Sequence, residues 1–92
     1  MFYVYLLKSK TTNFLYIGSC INLRKRFSDH NERRVQSTKH YAPFSLVYYE
    51  AYADKRDALG REYKLKHHGS GLAKLKARLK HSLELNLISR VQ

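Results

Sequence analysis

Ninety-two residues suffice for one compact domain and are too few for two, so any function here shares a single small core. Eighteen Lys and Arg stand against seven Asp and Glu, a formal charge of +11, while 43% hydrophobic and 13% aromatic residues separate the chain from a disordered basic tail. The single cysteine, Cys20, excludes an internal disulfide framework and zinc sites built on two or more thiolates, and the apolar run Met1 to Leu7 stops at Lys8, far short of a signal peptide or membrane helix. The expectation is a soluble, cytoplasmic protein in a reducing compartment.

Surplus positive charge on a small fold serves nucleic acid, an anionic membrane surface, or no partner at all. Here it is dispersed: Arg24, Lys25 and Arg26, then Arg33 and Arg34, then Lys64 and Lys66, then Lys74, Lys76, Arg78 and Lys80. A membrane-binding helix would concentrate charge and apolar face in one segment, so dispersal favours nucleic acid.

In chain order, Phe2 to Leu7 is apolar or aromatic on both parities, which predicts a strand covered on both faces. Lys8 to Asn13 is polar, and Phe14 to Ile17, closing at Gly18, predicts the second strand of a β-hairpin. Asn22 is placed to cap a short helix on which Leu23, Phe27 and His30 share a face. Asn31 to Pro43 lacks a period and reads as a long loop with some helical turn, the segment expected to be most mobile. Phe44 to Tyr52 predicts a third strand, and Asp54 caps a helix with Ala58, Leu59, Glu62, Tyr63 and Lys66 at spacings of three and four. Gly69 and Gly71 are expected to end it, Ser70 to cap a last helix, and Leu72, Leu75 and Leu79 to face inward. Leu83, Leu85, Leu87 and Ile88 extend that helix or form a separate turn; the pattern allows either.

Several residues carry possible chemistry. On the hairpin Tyr3 and Tyr5 share a face, and Tyr16 and Gly18 likewise share one; taken singly, a sheet tyrosine is most often core with a wet hydroxyl. Gly18 at a strand end marks a turn or a close approach of backbone. Arg26 and His30, four apart on the first helix, offer a guanidinium that forks onto phosphate oxygens and an imidazole that relays a proton, against the plainer alternative of a solvated basic face. Glu62 is the only acidic residue between Gly60 and Lys80. It is either an ion-pair partner or the one carboxylate that Mg²⁺ takes alongside water and substrate phosphate. The adjacent pair His67 and His68 diverges on a helix and makes a poor metal site, and Cys20 reads as a small buried residue rather than a nucleophile.

Tyr3 to Tyr5, Tyr16 to Gly18, Leu23 to His30 and Glu62 within Arg61–Lys64 together resemble the GIY-YIG endonuclease superfamily, in particular small single-domain bacterial members related to the amino-terminal domain of excinuclease C. The ordered set, rather than any one motif, carries the resemblance, which covers nearly the whole of residues 1–92 as one domain. Tyr3 stands where the family name has glycine and Val4 where it has isoleucine; Tyr3 is expected to crowd or widen the phosphate groove. A late asparagine has Asn86 as its candidate.

The resemblance implies an α+β fold, a three-stranded antiparallel sheet flanked by helices, and a metal-dependent endonuclease that hydrolyses DNA phosphodiesters with weak sequence specificity, an activity associated with DNA repair. Glu62 would hold one divalent ion, Mg²⁺ or Mn²⁺, Arg26 would contact the scissile phosphate, and Tyr5, Tyr16 and His30 would line the site and assist proton transfer. Arg24, Lys25, Lys64 and Lys66 are the candidate nucleic-acid contacts, and no membrane partner is expected. The rival expectation is a nucleic-acid-binding module that keeps the pocket without turnover, and the last is a small basic protein that binds RNA structurally.

Overall fold

The computed structural model describes the backbone of residues 1–67 and 69–91 and the side chains of residues 1–67 and 69–85. Three strands, β1 (Phe2–Ser9), β2 (Leu15–Cys20) and β3 (Phe44–Tyr52), form an antiparallel sheet in the order β2-β1-β3. The helices are α1 (Leu23–Asn31), α2 (Lys55–His67), α3 (Gly69–Arg78) and α4 (Lys80–Val91). This is the α+β architecture that the residue pattern and the resemblance both imply.

β1 is central because it alone is apolar on both parities, and Val4, Tyr5, Leu6 and Leu7 are all buried. Its alternation splits the interior into two cores. Val4 and Leu6 join Ile17, Ala58, Leu65 and Leu75 on the face covered by α2 and α3. Tyr5 and Leu7 join Ala42 and Phe44, with Tyr16, Leu23 and Phe27 packed around them, on the face covered by α1 and the segment before β3. Register fixes the second set: Tyr5 lies opposite Gly18, Leu7 opposite Tyr16 and Tyr3 opposite Cys20.

Local chemistry sets the helix starts. Asn22 accepts from the Lys25 amide at 3.1 Å, and Asp54 from the Arg56 amide at 2.8 Å, so both predicted N-caps are in place. Residues 32–43, expected to be the most mobile, are tied down at several points. Val35, Thr38 and Ala42 are buried, the Asn31 amide group bonds both the carbonyl and the amide of Phe44, and Tyr41 stacks on Phe14 with ring centroids 3.9 Å apart. Lys39–Tyr41 forms a short 3-10 turn within it.

Two details differ from the sequence expectation, and a third settles a choice that the pattern left open. On α2 the inward residues are Ala58 and Leu65, seven apart, whereas Leu59 and Tyr63 are 45% and 58% exposed. α3 begins at Gly69 and runs through Gly71 instead of being capped by Ser70. Burial of Leu75, with Leu72 and Leu79 beside it, outweighs the roughly 1 kcal/mol that each helical glycine costs. The chain then breaks at Leu79, whose amide is shared between the carbonyls of Leu75 and Lys76, and α4 starts as a separate helix. The side chains of Leu87 and Ile88 lie outside the described residues.

Leu65→Ala is therefore expected to cost about 2–5 kcal/mol, and Leu59→Ala less than about 1 kcal/mol, in urea denaturation followed by circular dichroism. Equal losses would contradict this assignment of the inward face of α2.

Candidate active site

The site grows from the pairing of Tyr5 with Gly18. A Cβ built on Gly18 would lie 2.6 Å from Tyr5 Cζ, closer still to its hydroxyl, and 2.9 Å from Tyr16 Cε2. Only glycine leaves room there for both phenols, which accounts for the close approach expected at this position. The Tyr5 hydroxyl is thereby directed at His30, 2.9 Å from Nε2. His30 Nδ1 lies 2.8 Å from Thr38 Oγ1, and the imidazole is completely buried. Tyr16 closes the third side, its centroid 5.0 Å from His30 and 6.3 Å from Tyr5.

Arg26 reaches this cluster from α1, and its charge acts on the Tyr5 phenol. A cation beside the phenol makes the phenol the better donor and disfavours charge on the imidazole, so the phenol proton goes to His30 Nε2. The Nδ1–H of a neutral imidazole then donates to Thr38, and all three groups are satisfied in one tautomer. Burial, reinforced by the Arg26 charge, holds the His30 pKa down at about 4, and burial pushes the Tyr5 phenol above its ordinary 10. At neutral pH His30 is uncharged and the shared proton stays on the phenol.

Glu62 comes from the other side of the sheet. Strand alternation turns Ser19 away from Gly18 toward α2, where its hydroxyl donates to Glu62 Oε1 at 2.8 Å. Lys66, one turn further along α2, pairs with Glu62 Oε2 at 2.9 Å, and its ammonium lies 5.7 Å from the Tyr16 ring centroid. The rings of Tyr5, Tyr16 and His30 are thus in mutual contact, with the Arg26 charge acting on them, and Glu62 is linked to Tyr16 through Lys66 at the outer strand β2. Ser19 and Thr38 belong to the site and were not legible as members: Ser19 follows a motif glycine on the opposite parity, and Thr38 sits in a segment without period.

The other candidates are placed as follows. Tyr3 packs edge-on to Tyr49, with centroids 5.9 Å apart, and lines a cleft with Arg24 and Phe27. Lys25 pairs with Asp29, itself bound by Arg34, and Lys64 is exposed on α2. His67 lies against the Tyr63 ring, Cys20 is half-buried with its thiol pKa raised by burial, and the Asn86 side chain and His68 lie outside the described residues. Among the described residues no three His, Cys, Asp or Glu side chains converge as a metal site, and the resemblance leaves Glu62 as the one candidate ligand. One carboxylate beside a hydroxyl is a hard-oxygen donor set that suits Mg²⁺ or Mn²⁺, and the ammonium of Lys66 already stands at Oε2 as a cation would. Among the described residues no helix is long and apolar enough to cross a membrane.

The depressed His30 pKa has a pH consequence. Between about 4 and 6.5 the unfolded chain binds the proton that the folded chain refuses, so stability rises with pH in that window and is lost on acidification through it. Thermal melts from pH 7 to 4 should show this decline, with a slope of up to about 1.4 kcal/mol per pH unit from this group. His30→Gln should flatten the curve above pH 5; an unchanged slope would contradict a buried neutral imidazole.

Comparison with known proteins shows the family. Residues 1–76 match the family model described as the GIY-YIG catalytic domain. A UPF0213 protein of Clostridium perfringens is 43% identical over 67 residues, covering 72% of this chain and 71% of its own. One of Lactiplantibacillus plantarum is 38% identical over 90 residues, 91% and 82% of the two chains, and one of Limosilactobacillus reuteri 32% identical over 92 residues, 97% and 94%. No solved structure gave a significant match. With the tyrosine pair, the motif glycine and the helix-borne arginine in one cluster, the chain belongs to the GIY-YIG family.

Proposed function

We propose that residues 1–92 act as one nuclease unit that hydrolyses DNA phosphodiester bonds with weak sequence specificity, using a single divalent ion held by Glu62. The observation that carries this reading is the convergence of Arg26 with two phenols beside a lone carboxylate in a chain of charge +11. The ion, when bound, would supply Lewis-acid polarisation of the phosphate and of water.

The remaining work falls to the chain. Arg26 holds two phosphate oxygens and offsets the charge that grows at phosphorus as water attacks. Of the three groups the resemblance leaves for proton transfer, His30 is least suited to touch substrate: both its nitrogens are engaged and it is completely buried. Its role is to hold Tyr5 in place beside the Arg26 charge. Tyr16 is the less buried phenol and faces Lys66, which favours it as the group that orients the water and handles its proton. Arg24, Lys25, Lys64 and Lys66 supply a grip on the phosphate backbone that carries no sequence information.

The rival reading, binding without turnover, draws on the Glu62–Lys66 ion pair, which gives the carboxylate a structural use. Cleavage of fluorescently labelled DNA with Mg²⁺ or Mn²⁺ separates the two. Arg26→Ala and Glu62→Ala are expected to lower kcat by about 10²-fold or more, and Tyr16→Phe by about 10²-fold. Wild-type cutting by Glu62→Ala removes its metal role. DNA that binds with a steep loss of affinity as salt rises, yet is cut by no preparation, establishes the rival.

A further inference from the structure

A second feature lies on the same sheet face as the catalytic cluster and is not used by it. Between α1 and β3 a cleft of about 340 Å³ is lined by Tyr3, Leu23, Arg24, Phe27, Leu46 and Tyr49. That volume lies within the range of small-ligand sites. Its lining is apolar and aromatic apart from one cation, Arg24, which is exposed, as is Tyr49 at 53%. Tyr3 and Tyr49 brace each other edge to face at 65°, so the rings are ordered before anything binds.

We propose that this cleft is a nucleobase pocket: Tyr3, Tyr49 and Phe27 take the flat face of one unpaired base, and Arg24 holds the phosphate beside it. The proposal rests on the phosphodiesterase reading for its ligand and adds to it a place for the base next to the cleaved bond. Tyr3 shares a face with Tyr5 two residues away, about 6.8 Å along the strand, and Leu23 and Phe27 pack on the Tyr5 core while also lining the cleft. The pocket is thereby continuous with the phosphate site. A flat, uncharged, apolar-faced ligand with one adjacent anion matches the lining; stacking on aromatic rings accepts any base, which agrees with weak sequence specificity. The family's motif glycine, had it stood at position 3, would have left one wall of this cleft open.

The test is binding without divalent metal, so that no cleavage enters, measured by fluorescence anisotropy. The ligands are a short oligothymidylate, an abasic oligomer of equal length, a duplex with a single-nucleotide bulge, and a fully paired duplex. Tyr49→Ala is expected to weaken oligothymidylate binding about fivefold to about a hundredfold, with Tyr49→Phe binding like wild type and all three binding the abasic oligomer equally. Arg24→Ala should weaken both oligomers alike. Dependence on Tyr49 in the bulged duplex as well as the single strand means that the pocket accepts a base extruded from a helix; dependence in the single strand alone means that it takes a base already free. If Tyr49→Ala binds every ligand as wild type does, the pocket proposal is wrong. The nuclease reading fails separately, by the Glu62→Ala and Arg26→Ala cleavage assays.

Discussion

The hydrogen bond from Tyr5 to His30 depends on the missing side chain at position 18. Any larger residue there would collide with both phenols, Tyr5 would lose its partner, and a completely buried imidazole would be left with an unpaired nitrogen. An orphaned buried polar group costs about 1–3 kcal/mol, a large part of what a domain of this size has in reserve. The same contact aims the phenol oxygen at Arg26. Folding of the second core and orientation of the cation proposed to meet phosphate therefore share one bond.

Electrostatics divide the molecule between these two tasks. In a chain with so large an excess of cations, the histidine at its centre is kept neutral by its buried surroundings and by the neighbouring guanidinium. Its carboxylates are mostly held by arginines. Arg61 grips Glu50, whose carboxyl burial would raise but whose hydrogen bonds from Arg61, Tyr52 and Tyr48 hold down. Glu62 differs in having a lysine and a serine as partners. Ammonium is a compact point charge on a flexible stem, where arginine offers a rigid two-pronged fork, so Glu62 is held differently from Glu50.

Much of the fold was legible because the strands announce themselves by parity. β3 coincides with its predicted limits, and β1 reads as central because no parity is polar until Lys8. Two caps, Asn22 and Asp54, were legible from residue type alone. What escaped were choices made by packing. Leu59 and Leu65 are equally apolar in the sequence, and only the position of Ala58 against the sheet selects the second. Gly69 and Gly71 look like a stop, yet the leucines beyond them favour continuing. In the site, the tyrosines, Arg26 and His30 were readable as an ordered set, whereas Thr38 was hidden in a segment whose only order is tertiary. Tyr3, expected to bear on the phosphate groove, packs on Tyr49, a residue forty-six positions away that no local pattern links to it.

The alternation of β2 has a further implication. Tyr16 and Gly18 look to one side, Ile17 and Ser19 to the other, so chemistry and hydrophobic core are interleaved residue by residue along six positions. A shift of the hairpin by a single place would send a phenol into the leucine layer and an isoleucine among the polar groups, undoing both at once. Inserting or deleting one residue in this strand, unless a bulge absorbs the change, therefore disturbs packing and phenols together.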